Sequence, residues 1–492
     1  MVATADRMLV EERLYIAGQL RPAKHDRTYP NINPATEEVI GVAADADASD
    51  MDAAIAAARA AFDEGSWSAD PLFRAKCLRQ LHTALLKHAA EIRATLRAEV
   101  GACEVSLTSA MFEMALTILP YAAHLAETFQ WETDIGTGEQ WGMPSRRKLV
   151  REPAGVAACI TPWNVPMQVN LAKLGPALAA GCTVVLKPAP DTPWSGLLLG
   201  RLVAEETDIP PGVFNVVTTS DNRVAQILAE DPRVDVVSFT GSTEVGRLLM
   251  ALGAPTIKRV FLELGGKSSY IVCDDADLDS NAAMCAFQAT VQAGQGCSIN
   301  TRLLVQRPVY ARMIEKIAER YAATKYGDPA DISNHMGPLI NAKQRERVLA
   351  LIEKGKAEGA RLLLGGGRPA HLPKGYYVEP TVFIDVDPQS TIAQQEIFGP
   401  VLCIIPFDTD DEAVAIANNT IYGLAGTVAS ANVERARGIA RRIRSGVVNI
   451  NGGMYYNPSV PFGGYKQSGV GREMGELGLE EYTEVKIVSE DI

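Results

Sequence analysis

The stretch from Gly155 to Lys267 decides the fold. It carries five short apolar runs: Val156-Ala157-Ala158-Cys159-Ile160, Thr183 to Leu186, Val213 to Val217, Val234 to Phe239 and Val260 to Leu264. Helical stretches separate them. Strands this uniformly apolar are buried on both faces, and their alternation with helices predicts βα units and a parallel sheet. In such sheets ligands bind beyond the carboxyl ends of the strands, so the residues just after each run carry the chemistry.

Outward from this block, the first third reads as helical. Met51, Ala54, Ile55, Ala58, Ala61 and Phe62 follow the i, i+3, i+4, i+7 rule, and Ser49 with Asp52 predicts a capping box. Leu78, Leu81, Leu85, Ala89, Ile92 and Leu96 predict a second apolar stripe ended by Gly101, and a third helical run covers Ser106 to Gln130. Trp131 to Glu152 is Gly-spaced, basic and extended, which predicts a hairpin leaving the domain. A second α/β block runs from about Ser268 to Phe462, with Gly365-Gly366-Gly367 and Pro373 marking a surface loop.

Composition narrows the function classes. The chain of 492 residues, at ~150 per domain, predicts two large domains or up to four smaller ones. Its 47 basic and 59 acidic residues leave a net charge of −12, which repels nucleic-acid phosphate and anionic lipid. The one basic knot, Arg146, Arg147, Lys148 and Arg151, reads as a solvated strand or hairpin edge. Met1 to Arg13 has no long apolar core, so no secretory signal is expected. The most apolar long stretch, Val169 to Leu186, is interrupted by Asn170, Lys173, Pro176 and Gly181 and predicts no membrane span. The eight scattered cysteines form no CxxC pair, and the six histidines no HxxxH spacing. That predicts a reduced, cytoplasmic protein without a metal site.

Several strings fail as motifs. Gly265-Gly266-Lys267-Ser268 resembles the end of a phosphate loop, but Phe261 holds the earlier glycine position. Gly469-x-Gly471 lacks its third glycine, because Met474 stands there, and no GxSxG elbow occurs. What remains are the strand ends: Ile160-Thr161-Pro162-Trp163-Asn164-Val165-Pro166, Leu186-Lys187-Pro188-Ala189-Pro190, Phe239-Thr240-Gly241-Ser242-Thr243-Glu244-Val245-Gly246 and Leu262-Glu263-Leu264-Gly265-Gly266-Lys267. Gly294-Gln295-Gly296-Cys297-Ser298 and Glu396-Ile397-Phe398-Gly399-Pro400 follow, then Pro461-Phe462-Gly463-Gly464-Tyr465-Lys466. In this order, over nearly the whole chain, they resemble the aldehyde dehydrogenase superfamily.

The resemblance implies an α/β protein with a Rossmann-like cofactor domain (8–130 and 152–262), an α/β catalytic domain (263–464) and small β oligomerisation segments (131–151 and 476–492). It implies NAD as cofactor, an aldehyde as substrate and a homo-oligomer, dimer or tetramer. Cys297 would be the nucleophile, forming a thiohemiacetal; the thiolate is its reactive form, and positive potential favours it. Asn164 and the Cys297 amide would hold the oxyanion. Glu263, between Leu262 and Leu264, sits in apolar company that raises a carboxyl pKa towards a useful base for hydrolysing the thioester. Relatives that pass the acyl group to coenzyme A lack this glutamate.

On the cofactor side, the resemblance puts Ile160, Thr161, Pro162 and Trp163 at the nicotinamide and Lys187 at the adenosine ribose. Gly241, Ser242 and Val245 meet the pyrophosphate. Leu264 and Gly265 lie near the carboxamide, Glu396 at the nicotinamide ribose, and Phe398 beside it. Two departures stand out. Pro190 replaces a glutamate that repels a 2′-phosphate, which leaves NADP open, and Thr219-Ser220-Asp221 replaces a glycine segment at the adenine side. The tunnel positions are Val165, Val169, Ala172, Phe287, Val291, Tyr455, Tyr456 and Phe462. Small residues at the first and third imply room for long, branched or cyclic apolar aldehydes. No arginine stands among them, which disfavours carboxylate-bearing semialdehydes. Semialdehyde or betaine-aldehyde oxidation, or a catalytically silent binding protein on the same fold, are the alternatives.

Overall fold

The computed structural model describes residues 8–492; of Met1–Arg13, read above as lacking a secretory signal, residues 1–7 lie outside them. Two sheets organise the chain. In the first, strands Val156–Ile160, Thr183–Lys187, Phe214–Val216, Val236–Thr240 and Arg259–Glu263 run parallel. Their spatial order is fifth, fourth, first, second, third. The order reverses between Val156–Ile160 and Val236–Thr240, which places a ligand crevice beyond their carboxyl ends. Short antiparallel strands, Leu14–Ile16 with Gln19–Arg21 on one side and Gly469–Val470 on the other, complete it.

The second sheet has seven strands in the order Arg361–Leu364, Thr381–Ile384, Val401–Phe407, Asn300–Gln306, Ser268–Val272, Ala425–Ala429 and Val447–Ile450, all parallel except the first. The crossing segment 264–267 joins the carboxyl end of Arg259–Glu263 to the amino end of Ser268–Val272. The site gathers around that crossing.

The helical third differs from its sequence reading in three places. Helix Ala48–Glu64 is capped by Asp47, not Ser49: Asp47 accepts from the amides of Ser49 and Asp50, and Asp50 bonds back to the Asp47 amide. Asp47 is the last extended residue, so it, and not the hydroxyl inside the first turn, faces the free N–H groups. The Leu78–Leu96 stripe is two helices, Pro71–Lys87 and Ala89–Val100, bent at His88 (φ −103°, ψ 17°). The one-residue bend keeps the apolar spacing in phase, and Gly101 ends the second helix at φ 73°. In the third run only Ile118–Thr128 is a regular α-helix of several turns. The hydroxyl of Ser109 bonds the Val105 carbonyl at 2.6 Å and that of Thr108 bonds Glu104 at 2.9 Å, competing with the ladder where Ser109 leaves helical geometry.

Strands Glu132–Gln140 and Met143–Pro153 form the expected hairpin. Thr483–Asp491 adds a third strand along Met143–Pro153. The basic knot therefore lies on a middle strand, not an edge, because its second neighbour comes from the far end of the chain. Arg146 pairs with Asp134 at 3.1 Å and Lys148 with Glu132 at 3.3 Å.

Candidate active site

Cys297 sits on the irregular segment between helix Leu278–Thr290 and strand Asn300–Gln306. Just before it, Gln292 and Ala293 adopt φ of 52° and 53°, a conformation that side chains resist. The buried Gln295 amide pins this strained turn: Nε2 donates to the Gln292 carbonyl (2.9 Å), and Oε1 accepts from the Ile340 amide (3.0 Å). Asn164 Nδ2 donates to the Gln295 carbonyl at 2.9 Å, tying the end of the first strand to the cysteine segment. Gly266, on the crossing, packs so closely that a Cβ there would collide with the Cys297 carbonyl oxygen. Asn164, the crossing and Cys297 thus meet at one corner. The half-buried Cys297 packs in a cluster with Tyr455, Tyr456 and Phe462. Tyr455 stacks on Phe462 at 5.6 Å, and its hydroxyl lies 3.1 Å from Ser298 Oγ.

The electrostatics of the thiol run against a resident thiolate. Burial, reinforced by the carboxylates of Glu396, Glu263 and Glu473, pushes Cys297 up to about 12, against the pull of the Ser298 amide. The thiol needs a base.

Glu263 ends its strand with both carboxylate oxygens buried and without a hydrogen-bond partner among the described residues. Burial first, then Glu473, raises its pKa well above the ordinary carboxyl range, while Lys173 and Arg472 pull it down. Behind it lies a buried ion pair. Lys173 Nζ bonds Glu473 at 2.6 Å and Ser238 Oγ at 3.0 Å, above the Phe261 ring, and Tyr482 donates to Ser238 at 2.9 Å. The sequence reading noticed Lys173 only as an interruption of an apolar run. A lysine inside a stretch that must be buried was the available signal for this pair.

The crevice beyond the sheet holds the remaining polar groups. Trp163 meets Phe398 edge-on at 5.3 Å, bringing the first-strand loop against the second sheet's side of the cleft. Thr161 Oγ1 donates to Asn170 at 2.6 Å, and Ile160 is buried beneath. Glu396 Oε1 accepts from the Gly266 amide at 2.9 Å and packs on Gly265, and burial lifts its pKa to about 7. Two residues outside the sequence reading hold its loop: Gln344 Nε2 donates to the Phe398 carbonyl and Arg347 to the Glu396 carbonyl, both at 2.8 Å.

On the adenosine side, the Lys187 ammonium is buried and makes no hydrogen bond among the described residues; burial lowers its pKa to about 8 against the pull of Asp191. Pro190 is half-buried, and the carboxylate of Asp191 is taken by Asn341 at 2.8 Å. Ser242 caps helix Thr243–Gly253 by accepting from the Val245 amide, so the amides of Thr243 and Glu244 are the ones left to meet an anion. Gly241 precedes the cap, Val245 is exposed, and Leu264 packs on Gly246, where a Cβ would come within 2.7 Å of it. An unpartnered buried ammonium, first-turn amides and a carboxylate along one crevice suit an anionic, ribose-bearing dinucleotide. At the third strand, Ser220 is anchored on Asp45, and Asp221 caps the next helix.

The tunnel candidates divide. Tyr455, Tyr456 and Phe462 share one apolar cluster with Cys297. Ala172 and Val165 pack into the core of the first sheet, and Val169 is buried beside them on the same helix. Phe287 is not brought to the cysteine cluster. It is 42% exposed and lies tilted against His335 at 5.0 Å, lining an outer cavity of about 320 Å³ that also touches Arg320 and Lys325. Val291, half-buried, ends the same helix.

Residues 21–488 match the model of the aldehyde dehydrogenase family. A 3-succinoylsemialdehyde-pyridine dehydrogenase of a Pseudomonas species is 43% identical over 96% of this chain and 97% of its own length. Among solved structures, an aldehyde dehydrogenase C mutant from Pseudomonas syringae, complexed with NAD+ and octanal, superposes with a TM-score of 0.93 at 41% identity, covering 98% of both chains. A Mycobacterium tuberculosis aldehyde dehydrogenase complexed with NAD+ does so with 0.93 at 40%, again over 98% of both. With such agreement along the full length, the chain belongs to the aldehyde dehydrogenase family.

Proposed function

We propose that this enzyme oxidises an aldehyde to the carboxylic acid with NAD+, and that the aldehyde is apolar and long, branched or cyclic. The observation that carries the reading is the convergence of Cys297, Asn164 and the unpartnered carboxylate of Glu263 around the crossing segment. Glu263, held basic by burial, takes the Cys297 proton, and the sulfur adds to the aldehyde carbon. The resulting oxyanion faces the Cys297 amide and the Asn164 amide hydrogen not used by Gln295. The dinucleotide, when bound, supplies the hydride acceptor. Lys187, the amides of Thr243 and Glu244, and Glu396 would hold it. Loss of hydride from the adduct leaves a thioester on Cys297. Glu263, having passed the first proton to solvent, then takes a proton from water as its oxygen attacks that thioester; the C–S bond breaks, releasing the acid, and the leaving sulfur takes the proton back from Glu263 to restore the thiol. The Lys173–Glu473 pair sets how readily Glu263 gives up and regains its proton.

The octanal complex of a relative supports an apolar chain in the tunnel. Pro190, which carries no charge to repel a 2′-phosphate, leaves NADP open beside NAD. The open edge of Thr483–Asp491, with Val485 and Ile487 exposed, supports pairing between subunits, and the scattered free thiols support a cytoplasmic setting. The two large sheets and the three-stranded one support a division into a cofactor unit (8–130 and 152–262), a catalytic unit (263–464) and oligomerisation segments (131–151 and 476–492), although Glu263 and Gly469–Val470 belong to the first sheet. The test is NADH absorbance with aldehydes from acetaldehyde to decanal and a terpenoid aldehyde, before and after thiol alkylation. Turnover that alkylation leaves intact refutes the cysteine mechanism; a preference for acetaldehyde refutes the apolar substrate.

A further inference from the structure

One hydrogen bond ties a loop of the first sheet to a helix of the second. Asp191 lies in the loop after strand Thr183–Lys187, and Asn341 stands just before helix Ala342–Ala357. Asn341 Nδ2 donates to Asp191 Oδ1 at 2.8 Å. The other half of the same amide caps the helix: Asn341 Oδ1 accepts from the Gln344 amide at 2.8 Å. Segment 340–347 then reaches both working parts of the second sheet. The Ile340 amide donates to Gln295, which pins the turn before Cys297. Gln344 and Arg347 hold the carbonyls of Phe398 and Glu396. The two parts also touch directly, since a Cβ on Gly294 would collide with the Gly399 carbonyl oxygen. The segment is thus a strut behind the cysteine turn and the Glu396 loop, and Asn341 fastens it to the loop that follows Lys187. A dinucleotide carries two riboses at a separation its pyrophosphate limits, so the groups that take them must be held in register.

We propose that Asn341 is a positioning residue: by gripping Asp191 while it caps helix Ala342–Ala357, it holds Glu396 in register with Lys187, so that one dinucleotide engages both. This deepens, and rests on, the reading that Lys187 and Glu396 hold the two ends of NAD. The test is calorimetric binding of ADP, which ends at the pyrophosphate, and of ADP-ribose, which adds the second ribose without the nicotinamide. The readout is the preference for ADP-ribose over ADP, a ratio of two dissociation constants. Asn341→Asp sets two carboxylates against each other and is expected to lower that preference roughly tenfold, the worth of one good hydrogen bond to a carboxylate. Asp191→Ala, which leaves the cap untouched, is expected to do the same. The exchange Asp191→Asn/Asn341→Asp restores an amide-to-carboxylate bond and with it the wild-type preference. Aspartate and asparagine cap helices about equally well, so the start of the helix survives in every variant. A merely structural role would weaken both ligands together and leave the ratio standing. A preference that survives Asn341→Asp and Asp191→Ala, or that the exchange fails to recover, overturns the proposal. Glu396→Gln tells the two failures apart. If it lowers the preference where Asn341→Asp does not, only the positioning role falls; if it leaves the preference intact, the reading of Glu396 falls and the proposal with it.

Discussion

Replacing Lys173 by methionine puts the electrostatics behind Glu263 to a quantitative test. Lys173 is fully buried, and its ammonium stands 2.6 Å from Glu473, itself 5% exposed. At that separation and an effective dielectric constant of about 20, the attraction between unit charges is about 6 kcal/mol. Part of it offsets the desolvation of both ions, so Lys173→Met, which strands Glu473 in the interior, should cost about 3–5 kcal/mol of stability. The double variant Lys173→Met/Glu473→Gln should recover most of that loss. The same cycle moves the pH profile in opposite directions. Glu263 works as the carboxylate, so activity is lost as pH falls through its folded pKa. Lys173 lowers that pKa and Glu473 raises it. Lys173→Met should therefore shift the acid limb of kcat/KM to higher pH, Glu473→Gln to lower pH, and the double variant back towards wild type. Urea unfolding and NADH formation across pH measure the two halves. If both single variants moved the acid limb the same way, the pair would not be what tunes Glu263.

Asn164→Ala should lower kcat by about 10²–10³ with little change in KM, since the lost donor acts on the adduct and not on the aldehyde; steady-state kinetics with one good substrate decide it. Glu99 is fully buried at the start of helix Pro193–Glu206, and burial lifts its pKa from 4.5 to about 7. The folded state thus binds this proton more tightly than the unfolded chain. Its contribution is complete below the unfolded pKa and is lost as pH rises from 4.5 to about 7, a fall of about 3 kcal/mol that should flatten in Glu99→Gln when urea midpoints are compared across that window. Pro190→Glu should raise the KM for NADP at least tenfold while leaving that for NAD nearly unchanged; a cofactor titration that shows no discrimination removes Pro190 from the choice of dinucleotide.

The sheet that builds the crevice was readable because each of its five strands is covered on both faces, so its sequence is apolar without needing a partner to explain it. The helical third was less so. Ser109 and Thr108 look like ordinary helix residues until their hydroxyls bond the preceding turn, and Asp47 outcompetes Ser49 as a cap through backbone geometry that residue types alone do not encode. The site divides the same way. Cys297, Asn164 and Glu263 each stand in a string distinctive enough to quote. Lys173, and Gln344 and Arg347 on the Glu396 loop, do not, because each depends on a neighbour far along the chain. Phe287 fails for the opposite reason: its place on the helix before the cysteine is right for a tunnel wall, but its rotation about that helix turns it outward to His335.

The same long-range placement explains why the nucleophile is surrounded by acids. A lysine or arginine beside Cys297 would hold a standing thiolate, which is also the form that oxidants attack. Here burial and three carboxylates keep the sulfur protonated, so its reactivity depends on a proton acceptor that must itself be basic. Glu263 meets that condition because its strand ends in apolar surroundings and Glu473 stands behind it, both raising its pKa, while Lys173 pulls it back down. Nucleophile and base are therefore set by one shared field. A change to any of the buried charges should move thiol reactivity and hydrolytic pH dependence together, which is how a site built on two sheets can keep a reactive sulfur quiescent until an electrophile is in place.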